Sequence, residues 1–363
     1  MRRGWFTMSL GFLAFAVVNP AWAQRDVPPP PIRPAWPHRV VTRQILPAAA
    51  YQAAQLDGRG RQELLCFRDP YNSEGGRIQP LIIYRWRGGR FVEYARTRLP
   101  AYRNAPVTTV GDLNGDGRDE ICTLGDRNEL FIIHLQRGRL RVTKTRLPDP
   151  WLVCSLAISG VRRRGRPELL ATVDPRYRWD EAAEPDGHFV VAYGRRTTGW
   201  TRRWRQAFAV RASRLELLTG PYGPGLREGL VLRHHPSGID SIAYDGVAWD
   251  GRRLVRRFLE EAGPYPPLGM RMWIAASPGL LLGRTVIASS TEYLYGRDAN
   301  HKASRQGELL LWQGGRVRTA YHLPGEPLAV GEFRQPGRLG ILVLRPKGVC
   351  LLIEPRRARP RQG

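Results

Sequence analysis

Short apolar runs alternate with polar, glycine-containing turns along almost the whole chain, and nowhere does an apolar face recur at helical spacing. The alternation is the period-2 pattern of half-buried strands. It comes in two recurring halves. The first half is a strand, a glycine-rich turn and a second apolar strand, best seen in Val110 to Leu124 (VGDLNGDGRDEICTL). Weaker copies start at Ala54, Ile158, Leu218 and Val330, with Gly60, Gly117, Gly165, Gly225 and Gly337 at equivalent places in the turn. The second half is a hairpin closing on a leucine-proline pair, as in Leu81 to Pro100, Leu130 to Pro148 and Leu309 to Pro324. Looser hairpins run from Phe189 to Phe208 and from Ile242 to Phe258.

Joining the halves gives four strands per unit at a repeat of roughly 45–60 residues, the blade of a β-propeller. Units fall near 50–100, 106–148, 153–208, 213–260, 268–324 and 327–356. The fold class is therefore all-β, a single propeller of four-stranded blades, with six blades expected and seven as the alternative count. The sixth unit has no outer strand after Ile353, while Arg39 to Pro47 (RVVTRQILP) matches the ends of the other hairpins. An N-terminal strand is expected to complete the last blade and close the ring, which removes the exposed edges.

The rest of the chain divides simply. Residues 1–23 read as a signal peptide, with Arg2 and Arg3, the apolar run Leu10 to Val18, and the small-x-small site Ala21-Trp22-Ala23. Residues 24–37 form a proline-rich linker, 38–357 the propeller and 358–363 a basic tail. The apolar core of the signal is too short for a bilayer span of about 20 residues, so the chain is expected to be secreted, extracellular or periplasmic, and monomeric. Cys66, Cys122, Cys154 and Cys350 match no zinc spacing and are expected as buried free thiols, one bridge being the alternative.

Chemistry is concentrated in one turn. Asp112, Asn114, Asp116, the Arg118 carbonyl and Glu120 alternate as hard-oxygen donors around Gly117, the arrangement that wraps calcium. Val110 to Leu124 resembles an FG-GAP repeat, the calcium-loop blade of integrin α-subunit propellers and bacterial VCBS-type proteins. That resemblance implies calcium as cofactor, held between two strands. The other copies depart from it: Arg59 and Arg164 stand where Asp116 does, and Pro224 and Pro336 replace it in two more. One calcium is expected, with Glu63, Glu168 and Glu228 left to cap their loops or pair with arginine.

Composition adds a charge. The chain is formally +25, almost wholly from arginine, its lysines being Lys144, Lys302 and Lys347. Such a field attracts polyanions, though the arginines are spread through every segment. Tryptophan is frequent (Trp86, Trp151, Trp179, Trp200, Trp204, Trp249, Trp273, Trp312); Trp86 and Trp312, at the same hairpin position in two blades, read as packing residues, whereas Trp179, Trp200 and Trp204 lie near a long connection where they could stack on a sugar or peptide. His234-His235 reads as a solvated loop, and Asp174, Asp180, Glu181, Glu184 and Asp186 as a surface insertion. No hydrolase or nucleotide-binding signature is found. The expected function is binding or scaffolding of an extracellular protein, glycan or polyanion, without specific nucleic-acid recognition. The alternative is a polysaccharide lyase or glycosidase working at the mouth of the ring.

Overall fold

The computed structural model describes residues 34–356, apart from 48, 69–77, 101–106, 126–127, 163–165, 179–187, 198, 209–211, 221, 223–228, 237–241, 262–270, 282–283, 296–301 and 314. The signal sequence, the first part of the proline-rich run and the basic tail lie outside the described residues, as do Trp179, Asp180, Glu181, Glu184, Asp186, Pro224 and Glu228.

Strand β1 (His38–Ile45) comes first, and the blades follow it in order. Blade one is β2 (Ala49–Ala54), β3 (Glu63–Arg68), β4 (Ile78–Arg87) and β5 (Arg90–Pro100). Blade two is β6 (Thr108–Gly111), β7 (Glu120–Leu124), β8 (Glu129–Gln136) and β9 (Arg139–Arg146). Blade three is β10 (Trp151–Ser159), β11 (Glu168–Arg178), β12 (His188–Arg196) and β13 (Gly199–Phe208). Blade four is β14 (Ala212–Gly220), β15 (Gly229–Pro236), β16 (Ala243–Trp249) and β17 (Leu254–Glu261). Blade five is β18 (Arg271–Leu281), β19 (Arg284–Tyr295), β20 (Lys302–Gln313) and β21 (Arg316–His322). Blade six is β22 (Glu326–Gly331), β23 (Gly340–Arg345) and β24 (Val349–Pro355), with β1 as its fourth strand. Each blade is a separate antiparallel sheet, so the protein is a six-bladed β-propeller.

Closure is carried by β1, which pairs with β24 from His38↔Pro355 to Ile45↔Val349. The chain just before it also takes part. Trp36, assigned by composition to the linker, is 2% exposed and packs with Val286, Leu309 and Ile341 between blades five and six. Its amide donates to the His322 carbonyl at 3.0 Å.

The core is a set of inter-blade layers. Leu65, Ile83 and Ile121 join blades one and two, and Ile132, Leu169 and Val191 join blades two and three. Leu170 meets Leu215 between blades three and four, and Tyr244 meets Leu310 between four and five. Leu64, Phe333 and Leu352 fill the seam between blades six and one, which makes the ring complete. An apolar residue at every second strand position thus meets the next blade rather than a central core.

Two residue-level expectations change. His234 and His235 are not in a loop: they lie in β15, where His234 pairs with Leu215 on one side and Ala243 on the other. All four cysteines are free, with Cys154 only half-buried and the other three buried. Asp174 is no surface group either, being 2% exposed within β11. Among the described residues no helix is long and apolar enough to cross a membrane.

Candidate metal centre

The loop between β6 and β7 is built around its acidic side chains. Gly115 and Gly117 take φ values of 78° and 81°, the left-handed region open cheaply only to glycine. That turn points successive amides inward. Asp112 Oδ1 accepts from the Gly115 and Asp116 amides at 2.7 and 3.0 Å, and its Oδ2 from Gly117 at 2.8 Å. Asp116 Oδ1 accepts from the Arg118 amide at 2.9 Å. Glu120, at the start of β7 and 2% exposed, reaches back so that its Oε2 accepts from the Leu113 amide at 2.8 Å. Asn114 Nδ2 lies between two carboxylates, 3.2 Å from Asp116 Oδ2 and 2.9 Å from Glu120 Oε1.

The structure therefore brings Asn114, Asp116 and Glu120 together, while Asp112 is engaged with the loop amides and Arg118 extends its side chain towards Gly58 of blade one. Among the described residues no three Asp, Glu, His or Cys side chains form a ready metal cluster in this conformation. The electrostatics nevertheless lack a cation. Burial first, then Asp116 and Asp112, lift the Glu120 carboxyl to about 7, against the amide hydrogen bonds that oppose it. His134 of β8 is the nearest basic group, with Nδ1 3.2 Å from Glu120 Oε1, but burial and Arg195 push it towards the neutral form.

The other blades show what this site would otherwise hold. In blade one, Glu63 Oε2 accepts from the Leu56 amide at 3.0 Å, just as Glu120 does from Leu113. Arg85 of β4 fills the space beside it, 2.9 Å from Glu63 and 2.7 Å from Asp57, the counterpart of Asn114. The cation that excludes a metal is thus Arg85 rather than Arg59, which is 81% exposed and 3.8 Å from Asp57. In blade three, Arg162 replaces the asparagine and lies 3.3 Å from Glu168. In blade six the signs are exchanged: Glu354 of β24 receives Arg334 and Arg338 from the loop and Arg39 from β1, at 3.0, 2.8 and 2.9 Å. Only blade two, of these four, has carboxylates and an amide with no guanidinium among them. Side-chain oxygens of this kind, alternating around a glycine turn, are the donors that calcium takes.

A second device was invisible in the sequence. In blades one and two the residue before the loop glutamate clips the loop of the preceding blade. Asp119 donates its amide to the Gln55 carbonyl at 2.8 Å and accepts from the Gln55 amide at 2.6 Å. Gln62, the equivalent in blade one, bonds Glu332 of blade six in the same way, at 3.1 and 2.8 Å. A polar residue just before the glutamate was the available signal.

Four of the described tryptophans pack within or between blades. Trp200 is 8% exposed in the seam between blades two and three. Trp204 meets Trp249 edge-on, with the Arg162 guanidinium 4.9 Å from both rings. Trp204 is thus held between rings and a guanidinium, whereas Trp200, though buried, keeps an edge on a cleft beside blade three. Trp86 and Trp312 pack within the ring as expected, against Phe91 and Phe258.

These features define a six-bladed propeller with an acidic, glycine-containing loop between the first two strands of its second blade. Residues 55–123 match the family described as FG-GAP-like repeat, from the first blade's loop through the second's, so this six-bladed β-propeller carries FG-GAP-like repeat sequence in its first two blades. No curated protein sequence matches it. Among solved structures, the exotype rhamnogalacturonan lyase YesX is 12% identical, with 88% of this chain and 75% of that one covered and a TM-score of 0.44. A Bacillus licheniformis rhamnogalacturonan lyase is 13% identical over 89% and 74%, at 0.42. AofleA from Arthrobotrys oligospora is 9% identical over 84% of each chain, at 0.46. At these values no property of those proteins carries over.

Proposed function

We propose that this is an exported, calcium-stabilised propeller that binds acidic polymers, glycan or other polyanion, along its rim. The observation that supports the reading is where the arginines sit. Exposed arginines recur on the outermost strand of every blade: Arg90, Arg96 and Arg98 on β5, Arg139, Arg141 and Arg146 on β9, and Arg202, Arg203 and Arg205 on β13. The series continues with Arg256 and Arg257 on β17, Arg316 and Arg318 on β21, and Arg39 and Arg43 on β1. Dispersed in sequence, they form one belt in space. Charge on an edge strand also prevents edge-to-edge pairing, but either sign serves that purpose. Here the acids on the same strands are Glu93, Glu260 and Glu261. A belt of one sign raises the local concentration of a polyanion and binds it through phosphate, sulfate or carboxylate groups.

The calcium assignment rests on the loop. Asp112, Asn114, Asp116, the Arg118 carbonyl and Glu120 would hold the ion, which supplies the positive charge that Arg85 supplies in blade one. Its role in this reading is to hold the turn, and through Asp119 the junction with blade one.

The test is retention of the purified chain on an immobilised acidic polysaccharide against neutral dextran, as salt is raised. Binding to the acidic matrix should weaken steadily with salt, and Arg141→Glu with Arg318→Glu should elute earlier. Equal retention on both matrices, or no salt dependence, contradicts the reading.

A further inference from the structure

The loop clip has one junction where it cannot form. At the boundary of blades two and three the position of Asp119 and Gln62 is taken by Pro167, which has no amide hydrogen to donate. A cleft of about 360 Å³ opens there, with Pro167 in its wall and Asn114 of the blade-two loop opposite. This is the size of an ordinary small-ligand pocket.

Its lining is specific in chemistry. Three exposed arginines contribute: Arg166 from the loop before β11, Arg195 at the end of β12 and Arg203 from β13. Arg203 is brought in by a vacant side-chain position. Gly194 stands in the register place held by Arg85, His134 and Glu354 in other blades, and a Cβ there would collide with the Arg203 guanidinium. Two carboxylates share the cleft with these arginines: Glu120 of the blade-two loop, beside His134 and already accepting from the Leu113 amide, and Glu168, 5% exposed, paired with Arg162 at 3.3 Å but with no hydrogen-bond donor on its carboxylate oxygens. A buried carboxylate in that state retains acceptor capacity. The Trp200 indole supplies an apolar wall.

We propose that this cleft binds a small hydroxylated acid the size of one sugar-acid residue. Its carboxylate meets Arg195, Arg203 and Arg166, and its hydroxyls donate to Glu168. A bare anion would satisfy the arginines and leave Glu168 without a donor; a neutral sugar would do the reverse. The inference rests on the reading of the protein as a binder of acidic polymers, and gives that reading a site for a single residue of the polymer.

Calorimetric titration of the whole mature chain in calcium-containing buffer tests it, with D-glucuronate, D-galacturonate, D-glucose and inorganic phosphate as probes. One of the two acids should bind saturably, with glucose and phosphate each at least about tenfold weaker, since a charge-assisted pair and a satisfied buried carboxylate each contribute on that scale. Arg203→Ala should weaken the acid by about tenfold or more. Gly194→Ala should do the same by displacing that guanidinium, and the double variant should be no worse than the weaker single, as expected for two changes to one interaction. Arg166→Ala, in a loop and remote from the ladder, gives an independent variant should either of these misfold. No saturable binding of either acid, phosphate binding as tightly as the acids, or undiminished binding in the arginine variants overturns the proposal. Retention on the acidic polymer without binding of the monomeric acids removes the cleft alone; loss of both removes the rim reading as well.

Discussion

Arg85 and His134 occupy the same place in neighbouring blades. Tyr84 pairs with Leu64 as Ile133 pairs with Ile121, so the next residue on each strand faces the loop glutamate of its own blade. Arg85 Nε lies 2.9 Å from Glu63 Oε1, and His134 Nδ1 lies 3.2 Å from Glu120 Oε1. One blade carries its own cation on a side chain. The other has a group held towards neutrality beside its carboxylate.

Removing Arg85 should therefore do two things. Arg85→Ala leaves Glu63, 3% exposed, and Asp57 without their partner, and breaking such a pair costs about 3–5 kcal/mol. Calcium should return part of that loss, because Asp57 and Glu63 then present an oxygen site like that of blade two. Melting temperatures of this variant in chelator and in calcium check both; a variant equally stable with and without calcium contradicts the equivalence of the two blades. Arg59→Asp, which sequence alone suggests as the repair, leaves Arg85 in place and should gain no calcium response.

Stability in chelator should depend on pH through Glu120. Its folded carboxyl, at about 7, lies above the unfolded value, so the fold favours the protonated form. The contribution is full below about pH 4.3, the unperturbed glutamate value, and is lost as pH rises through the folded value. His134, shifted down, acts in the opposite sense, and its part is complete by about pH 6.5. Between about pH 6.5 and 8 the chelated protein should lose melting temperature. Glu120→Gln should flatten that slope, and a slope of the same size in the variant would assign it elsewhere.

The closing strand should be indispensable. Trp36→Ala empties a fully packed position between blades five and six, a change that costs about 3–5 kcal/mol for a buried tryptophan. Deleting residues 24–47 removes the β1 ladder and the Arg39–Glu354 pair as well. Thermal unfolding of both variants reports this. A truncation with the melting temperature of the full chain contradicts closure by β1.

Much of the fold was legible because a propeller repeats itself. The alternation in VGDLNGDGRDEICTL and its weaker copies marks two strands and a turn in each blade, and RVVTRQILP could be matched to hairpin ends before any partner was known. The acidic turn of blade two was legible for the same reason, since its spacing is local. What was hidden depends on strands distant in sequence. Nothing near Glu63 announces that Arg85, on the next strand and 22 residues on, is its cation. The belt of arginines looks like dispersed charge until blades are stacked side by side. Trp200 and Trp204 looked exposed because a long connection precedes them, yet the seam between blades covers them. His234 and His235 looked like a loop because proline, serine and glycine follow them directly, although pairing on both sides holds them in β15.

The central claim is that the blade-two loop takes a calcium ion which stabilises the ring. Thermal unfolding of the wild-type chain and of Asp116→Ala, each in calcium and in chelator, tests it most directly. Wild type should be stabilised by about 2.7 kcal/mol when free calcium is a hundredfold above its dissociation constant. Asp116→Ala, which removes one of the two carboxylates that meet at Asn114, should show no calcium response. A wild-type chain that melts at the same temperature in both conditions, or a variant that keeps the full response, contradicts the account.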